Sequence, residues 1–484
     1  MVLKRPQWRR KAQFFITIAA CLVLSLLILR QHIRHRHHIS NLKPQQEAPK
    51  KTPRPHKQKK PYYATAQTPC ASLPGASSVF VILKTGATEA RAKLPAHLAT
   101  TLRCIPHHAI YSDLADTLPD DAPIHDALAS VPSAIKTREP DFHLYHAQRA
   151  WQASGLDIAA LAANNSRVRA DAWALDKWKF LPLVAHAHAT APAAVDWFLV
   201  VEADSALLWG NLLRWLATLD ASERLYLGAQ TWLGDDDEPF AHGGSGVLLS
   251  RPAVGALAEA LAADGDMYSR LTGGSWAGDY VLGVALREVG VGLTGAWPLL
   301  QGETPWSLDY SGANWCRPVV SWHHMDEYWV RRMWEFERVW SAGGFEGLEE
   351  RDGDGDEGGE EERMVKPIRH GDVFEHFVAP HILRVRERKN WDNLSPDLVV
   401  VGEDGVVIRD QKGCMRACKD MGDCLQWMWI ADGTCRTDSV VRLGEKVEEA
   451  DGEGVWMTSG WMGERIGWFV EDMGECEGED WIEA

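Results

Sequence analysis

The chain has 484 residues, enough for a sizeable core with appendages, and its formal charge of −16 argues against a nucleic-acid partner, which needs a basic face to meet phosphates. Nine cysteines include Cys21 in an apolar N-terminal stretch; the other eight are an even set, suited to pairing in an oxidising compartment. The 23 tryptophans fit a large core first and the stacking of sugar rings second.

Lys4, Arg5, Arg9, Arg10 and Lys11 give residues 1–11 the character of a cytoplasmic tail. Residues 12–29 are almost wholly apolar, and at 1.5 Å per residue they just cross a thin bilayer as a helix, which predicts a transmembrane signal anchor. A cleaved signal peptide is the alternative, but Leu29-Arg30-Gln31 lacks the small residues of a cleavage site. Arg30, Arg34 and Arg36 blur the charge asymmetry, so the orientation leans on the absence of a second apolar span in the sequence. Residues 30–69 are rich in Pro, Lys, His and Gln and predict a solvated, flexible stem. Tail, anchor, stem and body make the layout of a single-pass type II membrane protein of the Golgi with its bulk in the lumen. Asn164-Asn165-Ser166 and Asn393-Leu394-Ser395 are glycosylation triplets consistent with that side.

The body opens with Val79-Phe80-Val81-Ile82-Leu83, a continuous apolar run ending at Lys84-Thr85-Gly86, as in a strand buried on both faces. A helix over about 89–102 and a strand over 109–113 complete a βαβ unit, which predicts a parallel sheet. Residues 172–186 read as one helix that Pro182 kinks or ends. A second buried strand, 196–201, terminates in Glu202-Ala203-Asp204, at the carboxyl end of the sheet where open α/β folds bind ligands. Strand alternation would aim Glu202 and Asp204 to one side. Two such carboxylates call for solvent or a hard divalent cation, Mn²⁺ first and Mg²⁺ second, bridging to diphosphate oxygens. Gly243-Gly244-Ser245-Gly246 allows close approach of backbone to a ligand or forms a simple turn. Residues 273–278 present Trp276 to a sugar ring or merely connect.

An ordered series of motifs then stands out: Asp196-Trp197-Phe198-Leu199-Val200-Val201-Glu202-Ala203-Asp204, Asn211-Leu212-Leu213-Arg214-Trp215-Leu216, Tyr226-Leu227-Gly228, residues 243–250, Gly278-Asp279-Tyr280-Val281-Leu282-Gly283 and Ser321-Trp322-His323-His324. Over roughly residues 79–325 this series resembles the fringe and core 1 β1,3-galactosyltransferase family. The resemblance implies an α/β fold of the GT-A, nucleotide-sugar-binding type with a mostly parallel central sheet. It also implies a UDP-sugar donor, a glycan or glycoprotein acceptor, inversion at the anomeric carbon and a β1,3-linked hexose, galactose first. By position, Glu202, Asp204 and His323 resemble the metal site, with His324 a near-equal candidate. Asp279 resembles the general base, and Thr85, Gly86, Gly243 and Gly244 the donor-binding residues. The chain departs from the family in opening its acidic motif with Glu202 and in placing Gly278 where an acid is usual. A non-catalytic carbohydrate-binding or chaperone-like protein of the same fold is the competing expectation, and a nucleotide-sugar hydrolase a third.

The catalytic domain is expected over 70–345, with an extension over 364–400. Residues 346–363 are an acidic Glu/Asp/Gly run; a calcium loop starting at Asp352 fails at Glu357 and Arg363, so a disordered insertion is expected. Cys414, Cys418, Cys424 and Cys435, spaced beside Trp427 and Trp429, resemble a PAN or apple module over 401–484. Two bridges of open pairing are expected there in preference to zinc, since paired Cys-x2-Cys elements are missing. Cys70 with Cys104 is a further candidate bridge, and Cys316 with Cys476 is what remains.

Overall fold

A computed structural model describes residues 69–484 except 119–120, 164, 235–237, 347, 350–363, 402–404, 406 and 448–456. The expected tail, anchor, nearly all of the stem, the Asn164 glycosylation site and most of the acidic run lie outside the described residues. Among the described residues no helix is long and apolar enough to cross a membrane.

The strands of the main sheet are β1 (Val79–Lys84), β2 (His107–Ser112), β3 (Asp116–Thr117), β4 (Pro123–Asp126) and β5 (Trp197–Glu202). β6 (Ala206–Leu207) lies outside it; β7 (Tyr226–Gly228), β8 (Val247–Ser250) and β9 (Leu293–Gly295) complete it, and β10 (Ser321–Trp322) pairs with β6. The order is β9-β7-β8-β5-β1-β2-β4-β3. β5, β1, β2 and β4 run parallel, as does β7 with β9; β8 is antiparallel to both neighbours and β3 to β4.

The helices that position the site are α1 (Ala90–Ala99), α2 (Ser166–Asp176), α3 (Phe180–Thr190), α4 (Trp209–Leu216), α5 (Arg251–Ala263), α6 (Gly278–Glu288) and α7 (Glu327–Ser341). They explain why β1 and β5 are apolar throughout. Val79, Val81, Leu83, Leu199 and Val201 pack with Leu94 of α1 and Leu212, Leu213 and Trp215 of α4. The alternate residues Phe80, Ile82, Phe198 and Val200 pack with Leu183 and Val184 of α3, Val254 of α5 and Val281 of α6. Both faces of a parallel strand are thus dry, so alternation of polar and apolar residues disappears.

The single helix expected over 172–186 is two. The break falls at Lys177–Lys179, and Pro182 sits in the first turn of α3, where its missing N–H would have had no intrahelical acceptor. The break lets Lys179 donate to the Thr85 carbonyl (2.8 Å) while pairing with Asp176 (2.7 Å).

Four disulfides join Cys70–Cys104, Cys316–Cys476, Cys414–Cys435 and Cys418–Cys424. The C-terminal sheet is five-stranded and antiparallel, in the order Glu387–Lys389, Met457–Trp461, Gln426–Ile430, Cys435–Asp438, Asp397–Val399. The boundary expected at 400/401 therefore falls inside one sheet. After the helix Gly463–Met473 the chain returns to the main body, where Glu479 pairs with Arg214 (2.6 Å) and the Ile482 carbonyl accepts from Trp215 Nε1 (2.9 Å). Asn393 is corrected as a glycosylation site. Its side chain is fully buried, donates to the Trp427 carbonyl (3.1 Å) and accepts from Ser395 Oγ (2.8 Å), so a glycan cannot be accommodated on it in the fold. Around the acidic run, Leu348–Glu349 pairs antiparallel with Met364–Val365 and brings the two ends of that segment together.

Candidate active site

A cleft of about 580 Å³ opens at the carboxyl ends of β1 and β5. Its lining includes Gly86, Lys93, Asp176, Lys179, Glu202, Asp204, Gly244, Asp279, His323 and His324, with Trp173, Trp232 and Trp276.

β5 ends at Glu202, and the chain turns through Ala203 and Asp204, closed by the Ser205 N–H donating to the Glu202 carbonyl (3.0 Å). Strand alternation therefore does not extend to Asp204, and the two acids take different partners. Glu202 lies 3.1 Å from the buried Lys84 ammonium, which also contacts Asp176 at 2.6 Å. Burial opposes the Lys84 charge, yet Asp176 and Glu202 together raise its pKa above the usual lysine value. Burial likewise works against the charge of Asp176, but Lys179 and Lys84 hold its carboxyl down to about 2. A two-lysine, two-carboxylate network thus ties α2 to the ends of both central strands.

Asp204 is held from three directions. His97 is buried and its Nε2 donates to the Ala203 carbonyl (2.9 Å), and the Met325 N–H donates to the Asp204 carbonyl (2.7 Å). Lys93 of α1 donates to Asp204 Oδ2 (3.3 Å). The register of β10 on β6 sets Trp322 opposite Ala206 and so carries His323 and His324 to the Asp204 turn. His323 Nε2 lies 3.4 Å from Asp204 Oδ1, without hydrogen-bond geometry. Burial would raise the Asp204 pKa, but His323 and Lys93 hold it well below the carboxylate range.

Ligand atoms of Asp204, His323 and His324 all lie within 4.8 Å of one another. Asp204 Oδ1 and His323 Nδ1 are buried with no hydrogen-bond partner, a costly condition that a cation or ligand would relieve. Burial, and then His323 beside it, lowers the His324 pKa and favours the neutral ring that ligates metals. His324 has a left-handed backbone (φ 56°), an uncommon conformation for a residue other than glycine. One carboxylate and two imidazoles offer a mixed oxygen and nitrogen donor set for a divalent ion; the carboxylate suits Mn²⁺, and the imidazoles equally suit zinc or iron. Glu202, expected as a ligand, lines the same cleft but is not in this group; His324 is.

Gly243–Ser245 form a 3-10 turn. A side chain on Gly244 would put its Cβ 2.1 Å from His323 Cε1, so the glycine makes room for the imidazole. The Gly243 N–H donates to Asp279 Oδ2 (2.8 Å). Asp279 lies in the first turn of α6 and its Oδ1 accepts the Tyr280 N–H (2.9 Å), which fixes the carboxylate at the cleft wall. Of the residues expected to bind the donor, Gly86 and Gly244 line the cleft, whereas Thr85 and Gly243 are buried behind it. Thr85 Oγ1 is buried and unpartnered, and Asp113 holds the next turn by accepting the Ala87 N–H (2.6 Å).

No family model and no curated protein matches this chain.

Lys93, Asp176 and Lys179 carry no signal in the sequence as site residues, and Lys84 stands there only as the end of a strand. The one signal was the lysine that closes an otherwise apolar strand; its partners come from residues 92 and 118 positions away.

Proposed function

We propose that the chain is a type II Golgi membrane glycosyltransferase of the GT-A fold. It would transfer a hexose, galactose first, from a UDP-sugar to a glycan or glycoprotein acceptor in β1,3 linkage with inversion. The observation that carries this reading is the Asp204, His323 and His324 group, with two unpartnered buried atoms, in a cleft at the carboxyl ends of parallel strands. The sequence motifs described above supply the family expectation, and the cleft is what supports it in the fold.

In this reading Asp204, His323 and His324 hold a divalent cation, Mn²⁺ first. When bound it supplies neutralisation of charge on the diphosphate leaving group. Glu202 and Asp176, locked by Lys84 and Lys179, brace the strand ends. Lys93 keeps Asp204 ionised and adds positive charge at the cleft floor. Asp279 is the base. The acceptor oxygen attacks the anomeric carbon, its proton passes to the Asp279 carboxylate, and the bond to the diphosphate oxygen breaks with the electron pair leaving on UDP. A single in-line displacement of this kind needs one base on the acceptor side and charge stabilisation opposite.

A second reading, carbohydrate binding without turnover, draws on one observation: Glu202 and Asp204 each already have a lysine partner. A UDP-release screen of the full chain over several UDP-sugars, with and without glycan acceptors and with and without chelator, separates the two. Acceptor-dependent release that chelator suppresses supports transfer. Release that acceptor does not stimulate points to hydrolysis, and no release with any donor removes the enzymatic reading.

A further inference from the structure

Three of the exposed tryptophans, Trp173, Trp232 and Trp276, line the one cleft that holds Asp204 and Asp279, and each is more than half exposed. A single exposed indole needs no explanation, but several in one polar cavity expose apolar surface where a ligand would cover it. Trp173 and Trp276 also meet each other, with ring centroids 5.1 Å apart and planes tilted by 29°.

Both indoles are held from below. Trp173 is on α2, four residues before Lys177, and the Lys177 ammonium donates to the Ser275 carbonyl (2.9 Å) next to Trp276 while pairing with Asp141 (2.9 Å). On the other side of Trp276, Gly278 packs so closely on Phe180 that a Cβ there would come within 2.4 Å of Phe180 Cδ2. The backbone is therefore fixed on both flanks of Trp276, and its exposure is built into a rigid frame.

We propose that the Trp173–Trp276 stack presents an outward indole face as a floor on which a hexopyranose ring of the acceptor stacks by its C–H face. The assignment rests on the transferase reading above and names the acceptor side of the same cleft. Trp276 is three residues before Asp279, so a ring lying on the indole is close to the carboxylate that receives the acceptor proton. The nucleotide end of the cleft, by contrast, is expected beyond β1, at Gly86. A pyranose of galacto configuration presents contiguous C–H groups at C3, C4 and C5, the surface that an indole face attracts. Trp232 forms a further part of the cleft wall.

The test is saturation-transfer NMR of the full chain in detergent with methyl galactopyranoside, methyl N-acetylgalactosaminide and methyl mannopyranoside as probes, read without any turnover. At least one probe is expected to show strong saturation at its ring C–H protons. In the Trp173→Ala, Trp276→Ala double variant the signal should fall roughly fivefold or more, a loss of about 1 kcal/mol of aromatic contact. Trp276→Phe should retain most of it, and Trp468→Ala, an exposed indole on the helix Gly463–Met473, should change nothing. UDP affinity, measured by calorimetry on the same variants, should stay within about twofold of the parent. An undiminished glycoside signal in the double variant overturns the proposal, as does a parent protein that saturates none of the probes. A loss confined to UDP affinity also overturns it and makes the floor a nucleobase site. Because binding is read directly, absence of transfer activity would remove the enzymatic reading and leave this result standing.

Discussion

In the C-terminal sheet, Asn393, Ser395 and Gln426 are buried and satisfy one another: Ser395 Oγ donates to Asn393 Oδ1, and Gln426 Nε2 donates to Ser395 Oγ and the Asn393 carbonyl. Two disulfides pin the helix Gln411–Asp420 to that sheet and to the loop before it. At the carboxyl ends of β1 and β5 the treatment of polar groups is the reverse. Thr85 Oγ1, Asp204 Oδ1 and His323 Nδ1 are buried without partners, glycine is forced by a neighbouring ring, and indoles face solvent. Each buried unpartnered atom costs on the order of 1–3 kcal/mol. Among the described residues the C-terminal sheet leaves one such atom, Arg388 Nε, whereas the strand ends gather three around a single cleft. The contrast separates a part that stabilises from the part proposed to bind.

Substitutions in the two regions should accordingly move different observables. The largest effect is expected from Asp279→Asn. The amide oxygen can still accept the Gly243 N–H but cannot take a proton, so kcat in the acceptor assay should fall by about 10³-fold, with UDP affinity little changed. Unaltered turnover would remove Asp279 from the chemistry. Gly244→Ala pushes a methyl group into the His323 ring and should lower Mn²⁺ affinity by about tenfold, at a stability cost of about 1–3 kcal/mol. Gly274→Ala, with nothing within 4 Å of the added atom, is the matched control.

The opposite pattern is expected in the C-terminal sheet. Cys414→Ser with Cys435→Ser opens a loop whose ends are 21 positions apart and should cost about 3 kcal/mol in denaturant unfolding, with UDP and Mn²⁺ affinities unchanged. A smaller effect concerns Glu337 of α7, which accepts the Gly210 N–H (2.7 Å) at the start of α4. Burial pushes its carboxyl from 4.5 up to about 7. Because the folded value exceeds the unfolded one, the protonated form stabilises the fold fully below pH 4.5, and that contribution is lost as pH rises through about 7. The side chain borders a second cavity that admits water, so the effect should be about 1–2 kcal/mol. Glu337→Gln keeps an acceptor for Gly210 and should flatten the melting temperature between pH 5 and 7; an unchanged slope would contradict the assignment.

Much of the sheet was legible because β1 and β5 are buried on both faces, and continuous apolar runs are hard to hide. The acids at the end of β5 are legible for a similar local reason, and Cys70–Cys104 and Cys316–Cys476 as candidate pairs, whereas the sequence leaves the pairing of Cys414, Cys418, Cys424 and Cys435 open. The partners of those acids were not. Lys84 reads as a residue leaving a strand, yet burial and two carboxylates make it part of a network. Gly244 reads as a turn or a ligand contact, and its reason is a ring 79 residues later. Asn393 carries a glycosylation pattern, and only packing reveals that its amide is internal. His324 stands beside His323 as a near-equal candidate by resemblance, and the structure groups both with Asp204; its left-handed backbone carries no composition signal.

The metal group can be tested most directly by Mn²⁺ titration of the full chain, followed by electron paramagnetic resonance, for the parent and the Asp204→Asn, His323→Ala, His324→Ala and Glu202→Gln variants. Loss of affinity on the order of 100-fold in the first two, a smaller loss for His324→Ala and less than about tenfold for Glu202→Gln are expected if Asp204 and the two histidines hold the ion. A parent that binds no Mn²⁺, or one whose affinity depends on Glu202 and not on Asp204 and His323, would contradict it.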